Sequence, residues 1–357
     1  MINTIDDVRI RSIRPLISPA LLMHEIPLTP QATATVANMR REVTEIIKGS
    51  NDKLLVIVGP CSIHDTKAAI EYGARLKKLI DKHQQDLCIV MRVYFEKPRT
   101  TMGWKGLIND PHLNDNFDIN YGLRLARNLL LQLNDHGIAC GTEFLDMIIP
   151  QFISDLISWG AIGARTTESQ VHRELASGLS MATGFKNGTN GDIQIAIDAI
   201  QAAQYPHHFL SVTKAGFAAI VSTTGNDACH LILRGSNQGP NYAAADISSV
   251  CQKLKEAHIA AKVMVDCSHG NSGKQHQQQI IVAKEVAQQI AEGSNNIMGV
   301  MLESHLVAGK QALISGKELV YGQSITDACM AWEDTEILLE QFALAVQQRR
   351  KVSTNSE

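Results

Sequence analysis

Most of the chemistry-bearing side chains of this 357-residue chain follow short apolar runs. Cys61 comes after Leu54-Leu55-Val56-Ile57-Val58 and Gly59-Pro60. Arg92 ends Leu87-Cys88-Ile89-Val90-Met91, with Lys97-Pro98-Arg99-Thr100-Thr101 just beyond. Glu143, Arg165, Lys186 and Arg234 follow four further runs, Asp266 and His269 another, and Glu303 the last, with Asp327 in the loop after it. Two chemistries are implied. Arg grips phosphate or carboxylate in bidentate fashion and Lys supplies a point charge. Arg92, Lys97 with Arg99, Arg165, Lys186 and Arg234 on one mouth therefore describe a pocket for a multiply anionic, phosphorylated small molecule. A lone Arg at a strand end is ordinarily a structural ion pair, but five cationic positions are hard to neutralise with local acids. Cys61, His269, Glu303 and Asp327 offer a thiolate, an imidazole and two carboxylates, a set that suits a divalent transition metal. Each has a bland alternative: Cys61 fills space, Cys267 is an equally good thiol, Asp327 caps a helix. No local spacing marks a metal site, so only the fold can bring these residues together.

The elements that must position them alternate after residue 50. Apolar runs lie at 54–58, 87–91, 138–142, 161–164, 183–185, 231–233, 262–265 and 297–302. Amphipathic helical patterns lie at 66–82, 119–136, 151–159, 172–179, 193–204, 244–258, 274–292 and 335–349. Continuous apolar strands suit a parallel sheet covered on both faces. Eight strand–helix units over roughly 300 residues predict an α/β fold, a (β/α)8 TIM barrel, whose reactive groups sit at the C-terminal strand ends. A doubly wound open sheet is the alternative, weakened because no G-x-G-x-x-G follows the first run. Residues 1–50 precede the barrel (51–350) as an extension, with a helix opening at Thr29-Pro30 and ending near Gly49. Residues 207–224 read as an inserted β-hairpin around Lys214-Ala215-Gly216, and 351–357 as a disordered tail.

Composition excludes several classes. With 33 Lys+Arg against 36 Asp+Glu, the net charge of −3 argues against a nucleic-acid binder driven by bulk positive charge. No run of about 18 apolar residues exists to cross a membrane, and the first residues lack a secretory apolar core. Seven cysteines, an odd count with no C-x-x-C pair, point to a reduced cytoplasmic protein.

Longer motifs add a resemblance. They include Gly59-Pro60-Cys61-Ser62-Ile63-His64-Asp65, Met91-Arg92-Val93-Tyr94-Phe95-Glu96-Lys97-Pro98-Arg99-Thr100-Thr101, Gly163-Ala164-Arg165-Thr166-Thr167-Glu168-Ser169, Gly184-Phe185-Lys186-Asn187-Gly188-Thr189, Leu233-Arg234-Gly235, Asp266-Cys267-Ser268-His269 and Thr326-Asp327-Ala328-Cys329. Over nearly its whole length the sequence resembles the type I microbial 3-deoxy-D-arabino-heptulosonate 7-phosphate (DAHP) synthases, most of all the phenylalanine-sensitive type. The resemblance implies condensation of phosphoenolpyruvate with D-erythrose 4-phosphate and water to DAHP and phosphate, the first step of the shikimate pathway. It puts one divalent metal ion per subunit (Mn²⁺, Fe²⁺, Co²⁺ or Zn²⁺) on Cys61, His269, Glu303 and Asp327. It puts phosphoenolpyruvate on Arg92, Lys97, Ala164, Arg165, Lys186 and Arg234, and erythrose 4-phosphate on Lys97, Pro98, Arg99 and Thr100. Within that chemistry Lys97 is the expected proton donor to the new alkoxide, and Glu143 is expected to position the water.

The resemblance also implies a homo-oligomer, tetramer or dimer, with an aromatic amino-acid effector. Its cavity falls on Met147, Gln151, Leu175, Leu179, Ser180, Phe209, Ser211 and Val221, with Asp6 and Asp7 supplied by a neighbouring subunit's arm. Ser211 stands where the tyrosine-sensitive type has Gly, so less room is left for a para hydroxyl and phenylalanine is the expected effector. Ser236-Asn237-Gln238-Gly239-Pro240 is one residue longer than the family's loop. A synthase for another sugar phosphate, a Schiff-base aldolase using Lys186 and a non-catalytic phosphate sensor are the competing functions.

Overall fold

A computed structural model describes residues 5–99, 101–314 and 316–354. The N-terminal arm leads into α1 (Pro19–Glu25) and α2 (Pro30–Lys48). Thr29 caps α2 by accepting from the Ala32 N–H at 3.0 Å, Pro30 takes the first helical position, and Gly49 ends the helix in left-handed backbone at φ +83°. The barrel units follow: β1 (Leu54–Gly59), α3 (Thr66–His83), β2 (Leu87–Arg92), α4 (Ile119–Asp135), β3 (Cys140–Glu143), α5 (Pro150–Ile153), β4 (Trp159–Ile162), α6 (Gln170–Gly178), β5 (Ala182–Lys186) and α7 (Gln194–Ala203). An antiparallel hairpin, β6 (His208–Val212) and β7 (Ala218–Ser222), interrupts the alternation. Then come β8 (Cys229–Leu233), α8 (Ala244–Glu256), β9 (Val263–Asp266), α9 (His276–Ala291), β10 (Ile297–Glu303), the short β11 (Val307–Lys310) and β12 (Gln323–Ser324), and α10 (Trp332–Thr354).

The sheet closes in the order β1-β10-β9-β8-β5-β4-β3-β2, all parallel, so the architecture is the (β/α)8 barrel that the alternation predicts. Every residue of its eight strands is buried. Alternate residues split into two cores. Leu54, Val56, Val58, Ile89 and Met91 face outward to the helices, whereas Leu55, Ile57, Val90, Ile232, Met264 and Met301 fill the interior. Val43, Ile46 and Ile47 of α2 join the interior cluster and seal the barrel at the N-terminal end of its strands.

The last helix and the one expected over 151–159 differ from the sequence reading. The helix expected over 151–159 shrinks to α5 and a single 3-10 turn, and Trp159 opens β4 instead. A helix through residue 159 would carry its indole away from the barrel interior, where it is wholly buried beside Gly141. Helix α10 runs to Thr354, past Arg350, because Arg350 is tied to Asp52 and Asp86, which holds the last turns on the barrel; residues 355–357 lie outside the described residues. The pair β11–β12 is too short to leave a periodic trace in sequence.

Trp159 Nε1 donates to Nε2 of His230 at 3.2 Å inside the barrel, and burial pushes His230 down to about 4. Below the ordinary histidine range the unfolded chain binds a proton that the folded chain refuses. Stability is therefore lost as pH falls from about 6.5 and levels off below about 4, at a total of about 3 kcal/mol. His230→Gln keeps an acceptor for the indole without titrating. Denaturant unfolding at pH 7 and pH 4.5 is expected to show a smaller loss for this variant than for the parent; equal losses would exclude His230 as the source.

Candidate active site at the barrel mouth

Where the strands end, the loops surround a cavity of about 260 Å³. Its wall is cationic: Arg92, Lys97, Arg99, Arg165, Lys186 and Arg234 all line it, with Pro98, Glu143, Ala164, His269 and Asp327. Thr100 lies outside the described residues. The six cations converge because β2, β4, β5 and β8 end on one side of the closed barrel.

Local acids neutralise more of this charge than composition implies. Arg92, fully buried, sets Nη2 at 2.9 Å from Oε1 of Glu303, and its guanidinium stacks 3.5 Å from the centroid of the Tyr94 ring. Lys186 Nζ is 3.1 Å from Oδ2 of Asp266. Among the described residues, no carboxylate lies within ion-pair distance of Arg165 or Arg234. Arg234 is oriented through its backbone, whose N–H donates to Oδ1 of Asn187 at 2.8 Å, and burial pulls its pKa below the arginine norm. Arg165 lies within a turn in which Thr167 Oγ1 donates to the carbonyls of Gly163 (3.0 Å) and Lys186 (2.8 Å), tying the ends of β4 and β5 together. At Gly163 in the same turn the Glu143 carboxylate comes so close that a Cβ would lie 2.4 Å from its Oε1 and push that side chain aside.

The opposite wall is built from β1, β9, β10 and the segment after β12. Ligand atoms of Cys61, Glu303 and Asp327 all lie within 4.8 Å of one another. His269, expected as the fourth member, stands beside this trio rather than within it, with Nε2 at 3.8 Å from Oε1 of Glu303. Its Nδ1 is occupied by Asp266 at 2.9 Å and the Ser268 hydroxyl at 2.7 Å, so Nε2 is the nitrogen that faces the trio. Thiol, two carboxylates and an imidazole oriented through its other nitrogen are the donor chemistry a divalent transition ion takes, and the residues fit one.

Lys97 joins the two walls. Its Nζ is 3.2 Å from both the sulfur and the carbonyl oxygen of Cys61. Burial works against its ammonium, but the Cys61 and Glu303 charges outweigh burial and hold the pKa above the usual lysine value. The Cys61 thiol is pushed up by burial and then by Glu303. Burial would raise Asp327, yet Lys97, His269, Lys274 and Lys310 together bring it below the carboxylate norm. Asp266 also resists burial, held well down by His269 and Lys186.

Asp266 is visible in sequence only as a strand-end acid; its work, holding Lys186 and His269 at once, depends on β5 and β9 facing each other across β8. Tyr94 under the Arg92 guanidinium, and Thr189 and Lys274 in the cavity lining, carry no sequence signal of a role. The five-residue loop after Arg234 closes on itself through Ser236 and Gly239, and its Asn237 N–H donates to the carbonyl of Thr189 at 3.1 Å, bracing the mouth.

A second cavity, of about 210 Å³, lies between the β3–α5 loop, α6 and the hairpin. Met147, Gln151, Leu175, Leu179, Ser180, Phe209, Ser211 and Val221 all line it, joined by Pro150, Ser154, Gly178 and Lys214. Asp6 and Asp7 stand exposed on the arm and do not line it within one chain.

A closed (β/α)8 barrel with a cationic, metal-competent mouth is thus the class of protein that fold and site define. The profile of the DAHP synthetase I family matches residues 25–340. The Phe-sensitive phospho-2-dehydro-3-deoxyheptonate aldolase of Escherichia coli K12 is 59% identical over 345 residues, covering 97% of this chain and 98% of that one. The Haemophilus influenzae protein named phospho-2-dehydro-3-deoxyheptonate aldolase is 58% identical over 350 residues, 98% and 97% of the two chains. A solved structure of the Francisella tularensis phospho-2-dehydro-3-deoxyheptonate aldolase superposes with a TM-score of 0.93 at 55% identity, covering 95% of this chain and 99% of that one. The chain belongs to the DAHP synthetase I family.

Proposed function

We propose that the protein is a DAHP synthase, a transferase that condenses phosphoenolpyruvate with D-erythrose 4-phosphate and water to DAHP and phosphate at the head of the shikimate pathway. The observation that carries this reading is the juxtaposition of the cationic wall with the Cys61–Glu303–Asp327 trio across Lys97. Arg92, Lys97, Arg165, Lys186 and Arg234, with the backbone at Ala164, hold phosphoenolpyruvate. Lys97, Pro98, Arg99 and Thr100 receive the aldose phosphate. Neutralising two anions that repel each other, and fixing their orientation, removes much of the entropic cost of their meeting. Cys61, His269, Glu303 and Asp327 would hold one divalent ion, Mn²⁺, Fe²⁺, Co²⁺ or Zn²⁺, which supplies Lewis-acid polarisation of the aldehyde oxygen. The alkene carbon C3 of phosphoenolpyruvate bonds to the aldehyde carbon, and Lys97 gives a proton to the resulting alkoxide. Positive charge develops at C2, while Arg92 and Lys186 hold the carboxylate and phosphate of phosphoenolpyruvate. The oxygen of a water positioned by Glu143 bonds to C2 and gives one proton back to Lys97; the C2–O bond to phosphate then breaks, the second proton leaves with the phosphate, and C2 becomes the ketone of DAHP.

Phosphate release from purified protein given both substrates tests this reading directly. Activity is expected to vanish with chelator and return with a divalent ion. A Schiff-base aldolase acting through Lys186 would survive chelation and be trapped by borohydride, and a phosphate-sensing scaffold would release no phosphate.

The second cavity is read as the effector site, and phenylalanine as its ligand. Ser211, paired with Ala219 across the hairpin, lines this cavity, and a side chain there leaves less room for a para hydroxyl than glycine would. Phenylalanine is expected to inhibit the parent and tyrosine to leave it active, whereas Ser211→Gly should gain tyrosine inhibition. Inhibition of the parent by tyrosine and not phenylalanine would refute the Ser211 argument.

The arm and hairpin support a homo-oligomer, dimer or tetramer. Ile5 (91% exposed), Ile13 (81%), Leu210 (83%) and Ile220 (76%) present more apolar surface to water than a lone subunit would keep there. The free state of all seven cysteines suits a reducing compartment such as the cytoplasm. Among the described residues no helix is long and apolar enough to cross a membrane.

A further inference from the structure

Lys274 lies on the loop between β9 and α9 in left-handed backbone, at φ +61°. Lysine pays for that conformation where glycine would not, and Gly273 just before it is also left-handed, at φ +56°. The surrounding structure imposes the strain. The Gly270 N–H donates to the Arg234 carbonyl at 2.9 Å, and the Lys274 N–H to the His269 carbonyl at 2.8 Å. Asn271 Nδ2 donates to the carbonyls of Leu233 (3.1 Å) and Asp266 (2.8 Å). A strained residue retained beside a site cavity points to use of its side chain. That side chain lines the candidate active site, and among the described residues it has no carboxylate within ion-pair distance.

Its place in the mouth indicates which substrate it meets. The cations Arg92, Lys186 and Arg234 are buried and belong to the inner wall, the seat of phosphoenolpyruvate in the DAHP synthase reading. Three exposed cations stand at the rim: Arg165, past the end of β4 and near enough to Arg234 to act on its charge, Arg99, past the end of β2, and Lys274, past the end of β9 beside the metal-competent trio; only Arg99 and Lys274 stand apart from the buried cations. The outer substrate is the phosphorylated aldose, whose aldehyde is directed to that trio. We propose that Lys274 is a binding residue for this aldose phosphate, meeting its anionic end from the β9 side of the rim as Arg99 does from the β2 side. This rests on the DAHP synthase reading. A lysine that only screened Asp327 would not discriminate between the two substrates.

The test uses Lys274→Gln, Lys274→Gly and Lys274→Arg in the full chain. The Gln and Gly variants are expected to raise KM for erythrose 4-phosphate about tenfold and to leave KM for phosphoenolpyruvate within about twofold, while Arg rescues most of the loss. Lys274→Gly should unfold no earlier than the parent, because it relieves the left-handed strain. A second readout needs no turnover. With chelator and phosphoenolpyruvate present, added erythrose 4-phosphate should raise the parent's Tm and raise that of the Gln and Gly variants less. Unchanged KM for the aldose phosphate in both variants, a shift in KM for phosphoenolpyruvate instead, or equal Tm shifts would overturn the proposal. A parent that binds erythrose 4-phosphate but releases no phosphate would sink the synthase reading alone, and the Tm comparison would still decide Lys274.

Discussion

Lys97→Met is expected to lower kcat by about a thousandfold while the protein still folds and still binds phosphoenolpyruvate, though more weakly. The size follows from what the one ammonium does. Its Nζ sits 3.2 Å from the Cys61 sulfur and lines the cavity on the side where the two substrates meet. Neighbouring charge keeps it protonated despite burial, so it can be a donor at neutral pH. Methionine preserves the length and apolar stem of the side chain and removes both charge and proton. Single-turnover kinetics separate the two losses: proton donation appears in the chemical step, charge neutralisation in substrate affinity. Lys97→Arg should recover affinity better than turnover, because guanidinium keeps its charge and holds its proton too tightly to be an acid. Near-normal turnover in Lys97→Met would dismiss the proton-donor role.

The legibility of this molecule in its sequence divides along physical lines. The eight barrel strands could be read because a strand buried on both faces must be apolar at consecutive positions, as Leu54–Gly59 and Leu87–Arg92 are. Once a barrel was inferred, the residues past each run fell on one mouth by topology alone, and this brought Cys61, Glu303 and Asp327 together without any local spacing. What could not be read depends on contacts between elements. Arg92 and Lys186 look like free cations in sequence, because Glu303 and Asp266, which pair with them, are 211 and 80 residues away along the chain. Trp159 reads as the end of an amphipathic helix because its neighbours are apolar at helical spacing. Only the space left by Gly141 and the acceptor on His230 make it a strand residue inside the barrel. His269 shows the same limit at the scale of one ring: its identity suggests a ligand, but which nitrogen is free is set by Asp266 and Ser268.

Asp266→Asn is expected to have the largest combined effect on stability and activity of any isosteric change at the mouth. The carboxylate is fully buried at the end of β9 and serves two partners, the Lys186 ammonium, Nζ at 3.1 Å, and the His269 ring, Nδ1 at 2.9 Å, while Oδ1 accepts from the Ser268 backbone N–H at 3.0 Å. Asparagine fills the same volume and keeps the Ser268 contact. It leaves the Lys186 ammonium, 3% exposed, without a countercharge, and breaking a buried pair in this way costs about 3–5 kcal/mol. At the same time His269 loses the anion that orients its ring and raises the basicity of Nε2. Removing such an outer partner weakens metal affinity by about 10–100-fold. The two consequences separate by a second substitution. Adding Lys186→Met to Asp266→Asn removes the stranded charge, so denaturant unfolding should recover most of the lost stability. Metal affinity, measured by competition with a chelator, should stay weak, because His269 still lacks its anion. Recovery of both in the double variant would mean that Asp266 acts only through Lys186; recovery of neither would mean that its partners are not those that the 2.9 and 3.1 Å distances identify.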